Sequence, residues 1–401
     1  MLRAVQQQQR ARARAKLPWV VAATAAAAVD EPIDVFVAPT DGEIEAQWTL
    51  ITRHLSAHQL GGLDRARERL EPIMRTRRLH IYWGTAPTST IHVGYLRPLG
   101  KLADFLRAGC HVTILLADLH ATLDAHKSTW EQTGARSKYY SAMVLTLLSR
   151  MGAPLQRLSF VQGWRDMQSH PDYMHAFLEL TAHVTPAAAK KASAQVVKQE
   201  RDPKLSGMVY PLLQALDSHF LQADATLGGD DQIKIYALAE DVLPRIGLAA
   251  PVHLLNPMLP SLCGKAGVKM SATTAAAAAA AAGAESGVSN NGKLDLLDPP
   301  DVLAGKLRKA FCEEGNIECN GVLALSRLLF ELDIARQLVD SDSQQVYTNA
   351  DDIERAFADK RLHPVVLKQF VTRTLDVFLE PLRNAFASPD GREMIALAYA
   401  Q

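Results

Sequence analysis

The sequence predicts an α/β protein, a parallel doubly wound sheet followed by a helical region. Three observations predict it. Short apolar runs at residues 80–83, 111–117 and 158–161 alternate with longer segments of helical periodicity. The turns between them are short and punctuated by glycine and proline. From residue 301 onward the pattern is amphipathic and helical. These divide the chain into an N-terminal extension (1–40), a sheet domain (41–262), a loop with a low-complexity insertion (263–300) and a helical domain (301–401).

Residues 1–29 carry Arg3, Arg10, Arg12, Arg14 and Lys16 with many alanines, and no acid precedes Asp30. Such a segment fits either an organelle transit peptide or a disordered extension, and its lack of serine weakens the first. Residues 41–78 read as helices. Asp41 is placed to cap one, Glu43 and Glu45 favour its first turn, and Gly61-Gly62 marks a break. The opening strand at 80–83 breaks at Gly84. After Pro87 a helix restarts on Leu96, Leu99, Leu102, Ala103 and Leu106, with His92 and Gly94 where loop becomes helix. A strand, a tight turn and a helix N-terminus form an anion site, because the first helical N–H groups have no partner within the helix. An ordinary βα unit with a surface histidine has the same outline.

The second strand ends in Asp118-Leu-His120, and ligands of a doubly wound sheet lie at the carboxyl ends of its strands. A long helix at 131–151 stops at Gly152-Ala-Pro154, before the strand at 158–161. Lys190, Lys191 and Lys198 fall in an alanine-bearing helical stretch, either a solvated face or a phosphate contact. On the helix at 205–221, Tyr210, Gln214 and Asp217 are spaced i, i+4 and i+7, so all three share one face. A core stripe would be apolar there; a phenol, an amide and a carboxylate suit recognition of a polar ligand. Gln232 follows a glycine turn after the apolar residues 223–227. A strand at 252–258 leads to a Gly-rich loop with Lys269, Ser271 and Thr273, suited to closing over polyphosphate. The alanine run at 275–282 and the polar stretch after it read as a disordered insertion.

Composition excludes some classes. The 401 residues are 48% hydrophobic, enough for two or three domains with sizeable cores. Lys+Arg and Asp+Glu are 43 each, so any nucleic-acid contact must come from local patches. The four cysteines form no CxxC pair or zinc-like spacing with histidine, which points to a reduced intracellular protein without structural zinc. No apolar run is long enough to span a membrane.

Taken together, the motifs resemble the eukaryotic and archaeal type of tyrosyl-tRNA synthetase, a class I aminoacyl-tRNA synthetase. The resemblance runs from about Asp41 to near the C-terminus. It rests on Tyr82-Trp-Gly-Thr-Ala86; on His92-Val-Gly-Tyr95, similar to the HIGH signature; and on Tyr210-x3-Gln214-x2-Asp217. It continues in Gly228-Gly-Asp-Asp-Gln232, Lys269-Met-Ser271 and Lys309-Ala-Phe-Cys-Glu-Glu-Gly315. The order of the set makes it specific. The resemblance implies a Rossmann-like catalytic domain, a helical anticodon-binding domain, and activation of L-tyrosine by ATP before transfer to tRNA(Tyr). It implies that His92 stabilises the α-phosphate and Lys269 binds the leaving pyrophosphate. Gly84, Thr85, Gly94, Met270 and Ser271 would complete the ATP contacts. Asp217 would accept the substrate phenol's hydrogen bond beside Tyr82, while Tyr210, Gln214 and Gln232 hold its ammonium group. Magnesium would enter with ATP on the phosphates, without a protein metal site. A cytoplasmic homodimer is implied, with organellar import as the alternative.

An in-line displacement by an already ionised carboxylate needs positioning and electrostatic stabilisation and no general base, consistent with the absence of a catalytic dyad. Discrimination against phenylalanine follows from leaving Asp217 buried and unpaired. The chain departs from the family in Lys-Met-Ser-Ala-Thr, without a second lysine, and in Ser89-Thr90, where relatives often carry Gly-Lys. Those departures motivate one rival, a synthetase-like RNA-binding protein without catalysis. A second rival is the tryptophan enzyme; Tyr82 and Asp217 argue against it.

Overall fold

The computed structural model describes residues 36–124, 128–196, 204–264, 270, 292–340 and 343–399. The chain divides into two compact units: the described parts of Met1–Pro87, Asp104–Ser137 and Ala153–Leu255, and of Thr88–Ala103, Lys138–Gly152 and Asn256–Gln401.

The first unit opens with α1 (Asp41–Thr52). Thr40, not Asp41, is its cap. The Thr40 hydroxyl accepts from the Glu43 N–H while the Glu43 carboxylate accepts from the Thr40 N–H, satisfying two helix-end donors reciprocally. Asp41 takes the first turn, where a negative charge meets the positive end of the helix dipole. Gly61, at φ +77°, starts α2 (Gly62–Met74) in a conformation only glycine adopts without strain.

Strand β1 (His80–Thr85) runs through Gly84, which pairs with Leu115, so the strand is two residues longer than the sequence pattern suggests. After a short 3₁₀ turn at Val93–Tyr95 comes α3 (Leu96–Arg107), which contributes to both units. Then follow β2 (His111–Leu116), the short α4 (Asp118–Leu123), α5 (Trp130–Arg150) and β3 (Leu158–Gln162). Next come α6 (Pro171–Thr181), α7 (Pro186–Ser193), α8 (Leu205–Phe220), β4 (Ala225–Gly229), α9 (Ile233–Val242) and β5 (Val252–Asn256). Strand β5 stops before Pro257, which has no N–H to give a ladder. Lys190 and Lys191 lie on α7; Lys198 lies outside the described residues, as do residues 1–35, Lys269, Ser271, Thr273 and the alanine run.

The sheet order is β3-β2-β1-β4-β5, with parallel pairing of β1 to both β2 and β4. Strand order therefore reverses between β1 and β4, the position where a doubly wound sheet opens a crevice at its carboxyl edge. Strand β5 is buried throughout and β2 throughout after His111, on both faces, as helices covering both sides require. Tyr82, Leu115, Val161, Met167, Tyr173, Leu180, Leu212, Leu213 and Leu216 share one core cluster. Burying each large apolar side chain contributes about 1.5–3 kcal/mol.

In the second unit, α10 (Pro300–Lys309), α11 (Gly321–Glu331), α12 (Ala350–Ala358), α13 (Pro364–Phe386) and α14 (Pro389–Tyr399) make a helical assembly. A two-stranded antiparallel ladder interrupts it, β6 (Leu338–Val339) with β7 (Val346–Tyr347), so this region is not purely helical. The α11, α12 and α13 starts are capped by the side chains of Asn320, Asn349 and His363, the last followed by Pro364. Arg97 of α3 and Glu331 of α11 form an ion pair whose side chains are 10% and 12% exposed.

Candidate active site

Asp217 sits on the inward face of α8, 1% exposed. A carboxylate this deep is costly to bury without donors. Two are supplied. Gln168 Nε2 donates to Asp217 Oδ1 at 2.9 Å and the Tyr173 hydroxyl donates to the same oxygen at 2.8 Å. Burial still dominates, raising the Asp217 carboxyl to about 7; the two hydrogen bonds act against it and the charge of Asp118 adds to it. Its other oxygen, Oδ2, faces His120 Nε2 at 3.9 Å. That contact is not an ion pair at neutral pH, because burial lowers His120 to about 4. Both His120 ring nitrogens and Gln168 Oε1 are buried without a hydrogen-bond partner among the described residues.

The elements that deliver these groups follow from local chemistry. A one-turn π-helix, Trp164–Gln168, follows β3 and aims Gln168 inward. Gly163 precedes it because a Cβ there would lie 2.8 Å from Gln168 Oε1 and 3.1 Å from Asp118 Oδ1. Asp118 in turn accepts from the Trp164 N–H at 2.7 Å, holding the turn against α4. His170 caps α6 and Pro171 takes its first position, which puts Tyr173 in the opening turn.

Tyr82, Gly84, Thr85, Tyr210, Gln214 and Gln232, singled out in the sequence, lie in this unit as well. Tyr82 of β1 packs in the same cluster as Tyr173 and Leu216. Burial, then the nearby charge of Asp217, pushes its phenol well above the ordinary value. Tyr210 meets the His120 ring edge-on at 4.6 Å. Gln214 Nε2 donates to Gln232 Oε1 at 3.0 Å, joining α8 to the 3₁₀ turn Asp230–Gln232 after β4. Gly84 and Thr85 end β1, and the Thr85 carbonyl accepts from the Ala117 N–H at 2.9 Å. Asp118 and His120, expected at the strand ends, do line this region. Sequence reasoning missed Gln168 and Tyr173. The His170-Pro171 pair, a helix-start signal, points to the second of them.

His92, Gly94 and Met270 belong to the second unit. His92 caps the 3₁₀ turn, its Nδ1 accepting from the Gly94 N–H at 3.1 Å. A neutral ring accepting at Nδ1 carries its proton on Nε2 and is therefore a donor there. A larger residue at Gly94 would force the His92 ring to move: a Cβ would stand 2.7 Å from His92 Cε1 and 2.8 Å from Nδ1. The same Cβ would lie 3.8 Å from the Met270 carbonyl, so parts of the two signature segments adjoin within this unit. Met270 is buried, and its N–H donates to the Leu259 carbonyl at 3.0 Å.

Residues 74–380 match the family model described as tRNA synthetases class I (W and Y). The chain is 42% identical over 361 residues to a zebrafish (Danio rerio) protein named tyrosine--tRNA ligase, cytoplasmic, covering 89% of this chain and 64% of that one. It thus spans less than two thirds of that relative. A Saccharomyces cerevisiae protein of the same name is 40% identical over 327 residues, covering 79% of this chain and 78% of its own. Among solved structures, a tyrosyl-tRNA synthetase from Archaeoglobus fulgidus, complexed with L-tyrosine, superposes with a TM-score of 0.71 at 29% identity, covering 88% of this chain and 99% of that one. The class I architecture, the matched length and these likenesses give one conclusion: the chain belongs to the tyrosyl branch of the class I tRNA synthetase family.

Proposed function

We propose that this protein is a tyrosine–tRNA ligase, which activates L-tyrosine with ATP to tyrosyl-adenylate and pyrophosphate and then passes the tyrosyl group to tRNA(Tyr). The observation that carries the reading is the buried Asp217 with its two donors. A carboxylate held at the boundary of ionisation, deep in an apolar cluster, suits an acceptor for a phenolic O–H. Tyr82 stands beside it. A bound phenol also offers a polar partner to the buried atoms of His120 and Gln168. Tyr210, Gln214 and Gln232 would take the substrate ammonium.

For the chemical step, His92 donates from Nε2 to the α-phosphate as charge builds there, Gly94 allows close approach of the nucleotide, and Lys269 with Ser271 holds the departing pyrophosphate. Gly84, Thr85 and Met270 complete the ATP contacts. Magnesium would arrive on the ATP phosphates. The attacking carboxylate needs no base. We further assign residues 41–262 to catalysis and residues 301–401 to anticodon binding, in a cytoplasmic homodimer. The names of the relatives support the compartment, and no described helix is long and apolar enough to cross a membrane.

The test is tyrosine-dependent pyrophosphate exchange, repeated with tRNA charging. Exchange with tyrosine and not with tryptophan or phenylalanine is expected; RNA binding without exchange would overturn the reading. Asp217→Ala should cost about 100-fold or more in kcat/KM for tyrosine, since it strips a buried acceptor from the substrate and from two protein donors. Glu240→Ala, which removes partly exposed contacts to Arg65 and Arg69 and a 3.8 Å approach to His253, all away from Asp217, should leave kcat/KM within about twofold. Equal losses would refute the pocket.

A further inference from the structure

We propose that Thr90, Lys293 and Asp295 act as a positioning unit for His92, fixing where the imidazole stands during adenylate formation. The proposal rests on the assignment of His92 to ATP. The three side chains close a ring. Lys293 Nζ donates to Thr90 Oγ1 at 2.8 Å and to the Thr90 carbonyl at 3.1 Å, and lies 2.8 Å from Asp295 Oδ1. The Thr90 hydroxyl completes it by donating to Asp295 Oδ1 at 2.8 Å. The Lys293 side chain is only 5% exposed, so its charge is met by these partners and little by water.

The ring flanks a short backbone ladder centred on His92. The Val93 N–H donates to the Leu294 carbonyl at 2.8 Å and the Leu296 N–H to the Ile91 carbonyl at 3.1 Å, with His92 opposite Asp295. Asp298 extends the arrangement: it accepts from the Asp295 N–H at 2.9 Å and from Lys306 Nζ at 2.9 and 2.7 Å, anchoring the segment to α10. Two constraints therefore converge on the histidine. Gly94 orients its ring, and the ladder with its ring of side chains sets its main chain. Apolar packing alone would hold segments 90–93 and 293–296 together without fixing their register. Directional bonds from a buried ammonium to a hydroxyl, a carbonyl and a carboxylate allow one register only.

The experiment uses the full chain. Tyrosine-dependent pyrophosphate exchange is measured for Thr90→Val, Thr90→Ser, Asp295→Asn and the Thr90→Val/Asp295→Asn double variant, with tyrosine binding followed separately by calorimetry without ATP. Thr90→Val should lower kcat for exchange about tenfold or more, the penalty of a small displacement of a reacting group, with tyrosine affinity within about twofold. Thr90→Ser keeps the hydroxyl and should restore kcat. The double variant should lose no more than the worse single one, because the three groups act as a unit. A Thr90→Val kcat equal to that of the unsubstituted protein, while His92→Ala is impaired, overturns the ring and leaves the ATP assignment standing. His92→Ala with undiminished exchange instead overturns that assignment. Should Thr90→Val fail to fold, as judged by lost tyrosine binding, Asp295→Asn carries the same comparison; parallel losses of binding and kcat there reduce the ring to a general structural role and overturn the proposal.

Discussion

Replacing Asp217 by asparagine tests the electrostatics of the candidate pocket without changing its volume. Burial raises the Asp217 carboxyl from an ordinary 3.8 to about 7. Between those values the folded protein holds a proton that the unfolded chain has released. Folding stability must therefore fall as pH rises through this window and level off above about 7. At 1.36 kcal/mol per pH unit, the window corresponds to about 4 kcal/mol. The asparagine carbonyl still accepts from Gln168 and Tyr173, but it has no proton to lose. The assay is urea denaturation of both proteins at intervals from pH 4.5 to 8. The stability of Asp217→Asn minus that of the unsubstituted protein should grow with pH by a few kcal/mol and reach a plateau near pH 7–8. A difference that stays flat across the range would refute the argument that burial controls this carboxyl. Ligand binding supplies the counterpart. A phenol donating to Asp217 favours its ionised form, so tyrosine binding near pH 7 should release protons, measurable by calorimetry in buffers of different ionisation enthalpy. Affinity should weaken as pH falls below that point.

Two further substitutions address the second unit. Gly94→Ala forces a Cβ to within 2.7 Å of the His92 ring, so it should lower exchange kcat about tenfold or more while leaving the urea midpoint little changed; an unaltered kcat would show that the ring is not held where the structure has it. Arg97→Leu removes the ion pair to the largely buried Glu331 and should cost about 1–3 kcal/mol of stability, whereas Arg97→Leu with Glu331→Leu should recover most of it. Equal losses in the single and double variants, read from denaturation midpoints, would contradict that origin of the effect.

The sequence displays the fold most clearly where one physical signal dominates. The runs that become β1, β2 and β3 are apolar, short and bounded by turn residues, and nothing else competes for them. The polar face of α8 was equally legible, since Tyr210, Gln214 and Asp217 interrupt an otherwise apolar helix at helical spacing. Failures occur where two signals compete. Asp41 stands next to Thr40, and both are capping residues; the reciprocal bond to Glu43 favours Thr40, which lies three residues before it. Gly84 reads as a break, yet it pairs with Leu115 of β2, and that ladder holds the backbone regardless of its freedom. The β6–β7 ladder is two residues per strand, too short for any alternation to show. Gln168 and Tyr173 were hidden for a different reason. Their importance lies in meeting Asp217 across the fold, a relation that has no spacing along the chain.

The order of strands carries a consequence for how the molecule comes into being. β1, β2 and β3 are neighbours both in sequence and in the sheet, so they can zip together early. β4 must return to the free side of β1, matching Ala225 to Ile81, after the whole intervening stretch of polypeptide has been made. The entropy of closing so long a loop grows only slowly with its length, but the search for the pairing delays it. The Gln214–Gln232 contact can form locally, but bringing that segment alongside Tyr82 waits until Tyr82 has found its partner Thr226.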